Sequence, residues 1–536
     1  MTGKSYGREG GGLQRTIGWQ GAFWVAAGVP ALVLFSIGGI SATVGTPSWV
    51  VWILSVAFGY VQAHTYAEIA GLFPSKSGGA SVYGAAAWVR YSRIIAPLSV
   101  WCNWLAWTPV LAIGSGLAAG FILNAFAPEG SNLLTWQIMI ADLGWLKADL
   151  ALRINATFFI GAAVLLVVFS IQHRGILSTA RIQMIIGIAV IIPMLVVGLV
   201  PLLNGSVQMA NLFPLEPLGT TDAMGAAVPG TWTNANITLF LGGLFIAAWS
   251  TYGFETAICY TSEFRDPARD TVRAIIYSGL LCVVIFTLVP LSFQGVLGTE
   301  AMLDPGIYDG SGVATAMAGM IGGNAFVTNL MILLLILALM LSIMTSMAGS
   351  SRTLYQGSVD GWLPRYLSHV NSHGAPTRAM WTDLSFNLAL LMMSDYLFVL
   401  AVSNCCYLIF NFLNLNAGWI HRIDSGHIKR PWTCPTPLMV AGVVLSFVNM
   451  VLLGAGANVW GEGTLMSGLI AAGLIVPVFI WRHYVQDKGQ FPKEMLEDLH
   501  VSISDLSNRK AGMLPYITLA AGIAVAVISN QVFTLG

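Results

Sequence analysis

The residue with the clearest chemistry is Glu255, which lies inside an apolar run over 237–261. A carboxylate in the interior of a membrane helix costs roughly 2.5–3.5 kcal/mol even on mild insertion scales, so it normally has a pathway or a partner. It can hold a proton or face a cationic solute. Just before it stand Trp249, Ser250, Thr251, Tyr252 and Gly253, with Gly242 and Gly243 two turns earlier. A helix interrupted there frees carbonyls that accept from an ammonium, and an indole face supplies a lid with cation–π attraction. A second run, 19–42, is interrupted in the same manner by Gly28, Val29, Pro30, Ala31, Gly38 and Gly39, with Pro47 closing the next turn.

Other polar groups are spaced to meet these breaks. Trp101, Trp104 and Trp107 recur every three residues and share one helix face, and Tyr407 belongs to a polar stripe with Asn404, Asn411, Asn414 and Asn416. Ser342, Thr345 and Ser346 offer hydroxyl oxygens that, with carbonyls of the first break, make a candidate sodium site. His64 and Glu68 are four apart, close enough to share a proton in coupling, but Glu68 is placed near the cytoplasmic end, where motif packing or gating suffices to explain it. Asp383, five residues after Arg378, is expected to serve a helix start or interface. Enzyme signals fail. Gly114, Gly116 and Gly120 lie in an apolar span with no preceding strand, His369 and His373 have no third metal ligand, and no Walker lysine motif occurs. No catalytic residue, metal site or cofactor is expected beyond a coupling ion, Na+ or H+.

The elements that must position these groups are membrane helices. Of 536 residues 56% are hydrophobic and 9% charged, against roughly a quarter charged in soluble domains. Apolar runs long enough to cross a bilayer as helix recur at 19–42, 48–72, 93–123, 154–171, 180–203, 237–261, 273–297, 325–349, 378–394, 396–420, 436–456, 464–482 and 513–533. The 24 basic and 24 acidic residues balance, so no field attracts nucleic acid. All Lys and Arg except Lys147 and Arg153 fall in alternate connecting segments, which predicts a cytoplasmic N-terminus in a plasma (inner) membrane. Thirteen spans then put the C-terminus outside. The six cysteines lie in spans or in an inner loop, so no disulfide framework is implied. The stretch 483–512 carries apolar residues at helical spacing and reads as an amphipathic helix on the cytoplasmic face, leading to a last span at 513–533.

Three motifs carry a resemblance. Residues 66–74 read Tyr-Ala-Glu-Ile-Ala-Gly-Leu-Phe-Pro, followed by Ser77-Gly78-Gly79-Ala80-Ser81-Val82-Tyr83. The sixth span gives Phe245, Trp249, Tyr252-Gly253-Phe254-Glu255, then Glu263, Asp266-Pro267 and Arg269. After the eighth come Ser351-Arg352, Asp360-Gly361-Trp362-Leu363-Pro364 and Pro376. Together these resemble the amino acid–polyamine–organocation permeases over about 30–400. The resemblance implies an all-α polytopic membrane protein of 12–13 spans: two inverted five-helix repeats with broken helices 1 and 6, plus peripheral helices. The expected divisions are 1–18 as a cytoplasmic segment, 19–203 and 237–420 as the repeats, 204–236 as an outer loop and 421–536 as the periphery. It also implies a substrate site between the breaks, walled by the third, eighth and tenth helices. Two departures stand out. Pro30 has no N–H to give a substrate carboxylate, and residues 184–200 lack the Lys that proton-coupled relatives often carry in the fifth helix.

The expected function is secondary active transport of a small amine-bearing solute by alternating access. An amino acid is the first expectation and a polyamine or other organic cation the alternative. A transport-derived sensor and an intramembrane enzyme are the readings from other classes. The expected substrate-binding residues are Gly28, Val29, Pro30, Ala31, Trp104, Trp107, Trp249, Ser250, Tyr252 and Tyr407, with Glu255, Trp249, Glu68 and His64 for coupling and gating. The lipid bilayer and the solute are the expected partners; the sequence does not set the oligomeric state.

Overall fold

The computed structural model describes residues 13–535 except 129, 222–226, 309, 311, 323, 494, 496–505, 507 and 508. The protein is an all-α polytopic membrane protein. We number its principal helices α1 (Trp19–Val44), α2 (Ser48–Gly71), α3 (Ile95–Phe126), α4 (Ala156–Gln172), α5 (Ile176–Leu203), α6 (Asn234–Glu263), α7 (Pro267–Met302), α8 (Ala325–Val359), α9 (Thr377–Leu390), α10 (Tyr396–Asp424), α11 (Thr436–Trp460), α12 (Thr464–Gln486) and α13 (Leu514–Val532). Ten of them are long and apolar enough to cross a bilayer, all except α2, α4 and α9. Residues 1–12 of the expected N-terminal segment, and much of the helix expected over 483–512, lie outside the described residues.

Burial separates the centre from the rim. The apolar windows of α1 and α10 are 89% and 83% buried and that of α6 is 78%, whereas those of α5 and α13 are 33% and 17%. The broken helices therefore occupy the middle, where protein rather than lipid meets their freed polar groups. At one face Ile17 bridges Phe264, and Arg265 donates to Thr16 O at 3.0 Å. At the opposite face Gly45 bridges Pro217 and Leu152 bridges Met393. The long loop before α4 folds as an antiparallel hairpin, Gln137–Asp142 with Ala151–Asn155, a feature its composition did not signal. The last helix runs from one face to the other. Ala511 N at its start donates to Asp424 Oδ1 at 3.0 Å, and Val532 O at its end accepts from Asn234 Nδ2 at 2.9 Å.

Both expected interruptions are present. α1 is helical over Trp19–Val25, becomes a 3-10 turn over Val29–Phe35, and resumes over Ile37–Val44. α6 is helical over Asn234–Thr251 and passes into a 3-10 segment over Gly253–Glu263. A third interruption was not foreseen. α3 is divided into Ile95–Trp107 and Pro109–Phe126. Pro109 has no N–H for the Leu105 carbonyl, and Leu111 N bonds to Thr108 O instead of Trp107 O.

Candidate functional site

The three breaks meet around Glu255, which is 1% exposed. Its Oε1 accepts from Trp107 Nε1 at 2.8 Å, with Asn103 Nδ2 and Tyr407 OH each at 3.5 Å. Its Oε2 is buried and has no hydrogen-bond partner. Oε2 faces Gly79, 3.7 Å from where a side chain on that residue would begin. The Trp107 ring needs a glycine as well: a Cβ on Gly253 would stand 2.5 Å from Trp107 Cη2. Tyr407 lies edge-on to Trp107 at 5.6 Å between ring centroids and stacks on Phe410 at 5.5 Å. The carboxylate thus ends in an aromatic enclosure with one oxygen tied and one oxygen free.

The break in α3 ties the other helices together. The freed carbonyls of Leu105 and Ala106 accept from Ser403 Oγ of α10 at 3.1 and 2.9 Å, and Ala106 O also accepts from Trp249 Nε1 at 3.1 Å. Trp107 O accepts from Ser346 Oγ at 2.5 Å. Trp249 therefore spans the α3 break in this closed arrangement, with its ring 5.8 Å from Phe35, and its indole N–H is committed to protein. Ser250 Oγ donates to Leu32 O at 3.1 Å, joining the two broken helices, and Tyr252 OH donates to Asn449 Oδ1 at 3.2 Å.

The first break differs from an open loop of free amides. Gly28 N donates to Thr345 Oγ1 at 3.2 Å, Val29 N to Ala26 O at 3.1 Å and Ala31 N to Gly28 O at 3.2 Å, while Pro30 has no donor. The 3-10 turn satisfies itself, so these residues form a wall here and not an amide cradle. The hydroxyls of the candidate sodium site are engaged too. Thr345 Oγ1 donates to Val25 O at 2.6 Å and Ser342 Oγ to Leu339 O at 2.8 Å, while Ser346 is used by Trp107. Gln183 of α5, which the sequence reading passed over, donates its amide to Val25 O at 3.0 Å and to Thr345 Oγ1 at 3.2 Å. The Gln183 amide thus meets one of the three candidate hydroxyls, that of Thr345, and the Val25 carbonyl.

His64 and Glu68, four apart on α2, take separate partners rather than sharing a proton. His64 Nδ1 lies 2.9 Å from Tyr60 O. Glu68 forms ion pairs with Arg422 at 2.6 Å and Arg430 at 2.9 Å and accepts from Cys434 N at 2.8 Å. Two arginines outcompete a neutral imidazole for a buried carboxylate, so Glu68 anchors the end of α10. Beside it, burial first and the Glu68 charge second push the Cys434 thiol up to about 11. More ion pairs close the same face. Lys76 meets Asp360 at 2.8 Å, both side chains 1% exposed, and Arg352 meets Glu263 through two bonds while its guanidinium lies 5.2 Å from the Tyr260 ring centre. Gly78 and Gly79, at φ +92° and +80°, turn the chain into the buried helix Ala80–Trp88 beneath Glu255. These pairs and this helix seal the site from that side.

The three tryptophans on one face of α3 have three different partners. Trp101 Nε1 donates to Ala471 O at 2.9 Å, Trp104 Nε1 to Asp383 Oδ1 at 2.6 Å, and Trp107 to Glu255. Trp104 thus belongs to a neighbouring cluster rather than to the Glu255 enclosure. Asn103, Gln183 and Ser403 were not singled out in the sequence, although Gln183 is a polar residue within an apolar helix, and Asp383, expected at a helix start or interface, is hydrogen-bonded to α3 and α8.

Comparison with known proteins gives the family. A family model described as "Amino acid permease" matches residues 17–480. The branched-chain amino acid permease of Lactococcus lactis subsp. cremoris is 23% identical over 83% of this chain and 90% of its own length. Its namesake in Bacillus subtilis is 24% identical over 84% and 89%. A polyamine transporter of Oryza sativa subsp. japonica is 23% identical over 85% of this chain and 75% of its own. With the match running from before the first broken helix into α12, the chain belongs to the amino acid permease family, and it is a transporter rather than an enzyme.

Proposed function

We propose that this protein carries a zwitterionic amino acid with an apolar side chain across the plasma (inner) membrane by alternating access, with its N-terminus in the cytoplasm. The observation that carries the reading is the free Oε2 of Glu255, a buried acceptor at the meeting point of the broken helices. A substrate ammonium placed there gains a charge-assisted hydrogen bond. Trp107 and Tyr407 wall the enclosure, and the branched-chain permease relatives support an apolar side chain. The halves 19–203 and 237–420 act as inverted repeats whose first helices, α1 and α6, are both broken, with 421–536 around them. The concentration of Lys and Arg on the N-terminal side supports the orientation. Gln183 at the Val25 carbonyl and the Thr345 hydroxyl favours a proton or substrate exchange over sodium as the driving partner.

A second reading, transport of a polyamine or other organic cation, is favoured by the satisfied amides of the α1 break and by the rice polyamine relative. The test is counterflow in proteoliposomes. Vesicles loaded with leucine, isoleucine or valine are expected to take up the labelled amino acid, and vesicles loaded with putrescine are not. Counterflow with putrescine alone would exchange the first reading for the second, and counterflow with neither would refute both.

A further inference from the structure

Asp383 is 0% exposed within α9, and among the described residues its hydrogen-bond partners include no Lys, Arg or His. Its Oδ1 accepts from Trp104 Nε1 at 2.6 Å and Thr108 Oγ1 at 3.2 Å, and its Oδ2 from Ser350 Oγ at 2.6 Å. Every one of these partners is neutral. Charged groups on the neighbouring elements are engaged or distant: Arg352 of α8 is paired with Glu263, Arg365 of the turn before α9 is paired with Asp487, and Arg378 is exposed at the helix start. α4 carries no charged residue, and the hydrogen-bond partners of Glu255 are Trp107 and Asn103 of α3 and Tyr407 of α10, not Asp383 or its partners. Removing a carboxylate from water without a countercharge is expensive, and such groups in membrane helices mark ion and proton routes.

We propose that Asp383 is a proton-binding residue of the transport cycle, holding its proton at Oδ2 against Ser350 Oγ. The hydrogen bonds permit both charge states. An indole can only donate, and the Thr108 hydroxyl accepts from Asn387 Nδ2 at 2.7 Å, which directs its own proton to Oδ1. Ser350 is the group that turns: its hydroxyl donates to the carboxylate and, after rotation, accepts from the acid, with no heavy atom moving. A polar path leads to the site. A cavity of about 930 Å³ opens between α3, the start of α10 and the 147–155 segment, and Ala112 and Leu391 line it. Asn387 Oδ1 accepts from Ala112 N at 3.1 Å, so Asn387 and Thr108 connect this floor to Asp383. On the other side Thr353, one turn along α8 from Ser350, donates to Gly78 O at 2.9 Å and lies 3.0 Å from Asn103 Oδ1. Withdrawal of the buried helix that follows Gly78 opens the release route. Asp383 takes up one proton and releases one proton per cycle, so its own protonation balances while the solute is carried.

The inference rests on the transport reading for its role in the cycle, but its chemistry can be read without any substrate. Infrared difference spectra of the purified protein between acidic and alkaline buffer report carboxyl protonation. Wild type is expected to show a protonated-carboxyl band that Asp383→Asn lacks, with Glu255 read separately in Glu255→Gln. Identical spectra for wild type and Asp383→Asn would overturn the proposal. In proteoliposomes, Asp383→Asn and Ser350→Ala are each expected to cut accumulation driven by a pH gradient by about tenfold or more. Either variant accumulating substrate as wild type does, or wild type showing no response to the gradient, would equally overturn it. Counterflow that fails with every amino acid would instead refute the substrate reading, with the infrared result still standing.

Discussion

Replacing Glu255 by Gln is the most informative single change, because the enclosure separates the two carboxylate oxygens. Oε1 is held by Trp107 Nε1 at 2.8 Å, and a Gln carbonyl accepts that bond as well, so the variant should fold and melt much as wild type does without ligand. At the Oε2 position, where no protein donor reaches, Gln places an amide NH2. A substrate ammonium that met a charged acceptor now meets a donor. A hydrogen bond to a charged group contributes about 1.5–3 kcal/mol. At about 1.4 kcal/mol per decade, the dissociation constant should rise about 10- to 150-fold. The assay is isothermal titration of the purified protein with the amino acid that supports counterflow, with ligand-free melting as the control for folding. An unchanged affinity in a normally folded variant would refute the assignment of Oε2 to the ammonium. A large loss of ligand-free stability would show instead that the carboxylate is a structural acceptor.

Three further outcomes are expected. Glu263→Gln leaves the Arg352 guanidinium buried with no countercharge and should destabilise the protein by about 3–5 kcal/mol. Thermal melting should fall accordingly and recover in Glu263→Gln/Arg352→Met; equal melting of Glu263→Gln and wild type would mean the pair contributes nothing. Gly253→Ala places a Cβ 2.5 Å from Trp107 Cη2 and should cost about 1–3 kcal/mol while moving the indole off Glu255. Its counterflow should drop, and adding Trp107→Phe should restore melting without restoring transport. Cys434, with its thiol pushed up to about 11, is roughly one part in ten thousand thiolate at pH 7. It should resist maleimide there and react progressively faster as pH rises toward 11; rapid labelling at pH 7 would contradict its enclosure between Glu68 and Arg422.

Much of the architecture was legible because a bilayer leaves a chain few choices. Backbone polar groups must be satisfied within the helix, so span lengths and glycine or proline interruptions are written directly into the sequence. That logic located the breaks at Gly28–Ala31 and near Gly253, and a charged residue in an apolar run singled out Glu255. Thr108-Pro109 carries the same kind of signal, yet a single proline in an apolar span does not say whether its freed carbonyls will find partners. Ser403, Trp249 and Ser346 come from three other helices to meet them.

The sequence by itself determined the membrane class, the alternation of basic segments, the two expected helix breaks and the family. These follow from composition and from spacing within one helix. Only the tertiary structure decided partners. Helical periodicity states which residues share a face and not which helix that face meets. Glu68 therefore joins Arg422, 354 residues away, rather than His64 on its own helix. In the same way Gln183 joins Thr345 and the Val25 carbonyl, and the neighbouring tryptophans Trp104 and Trp107 divide between Asp383 and Glu255. Long-range packing sets these pairings because a buried charge or donor takes the best acceptor the fold brings within reach, whatever its distance along the chain.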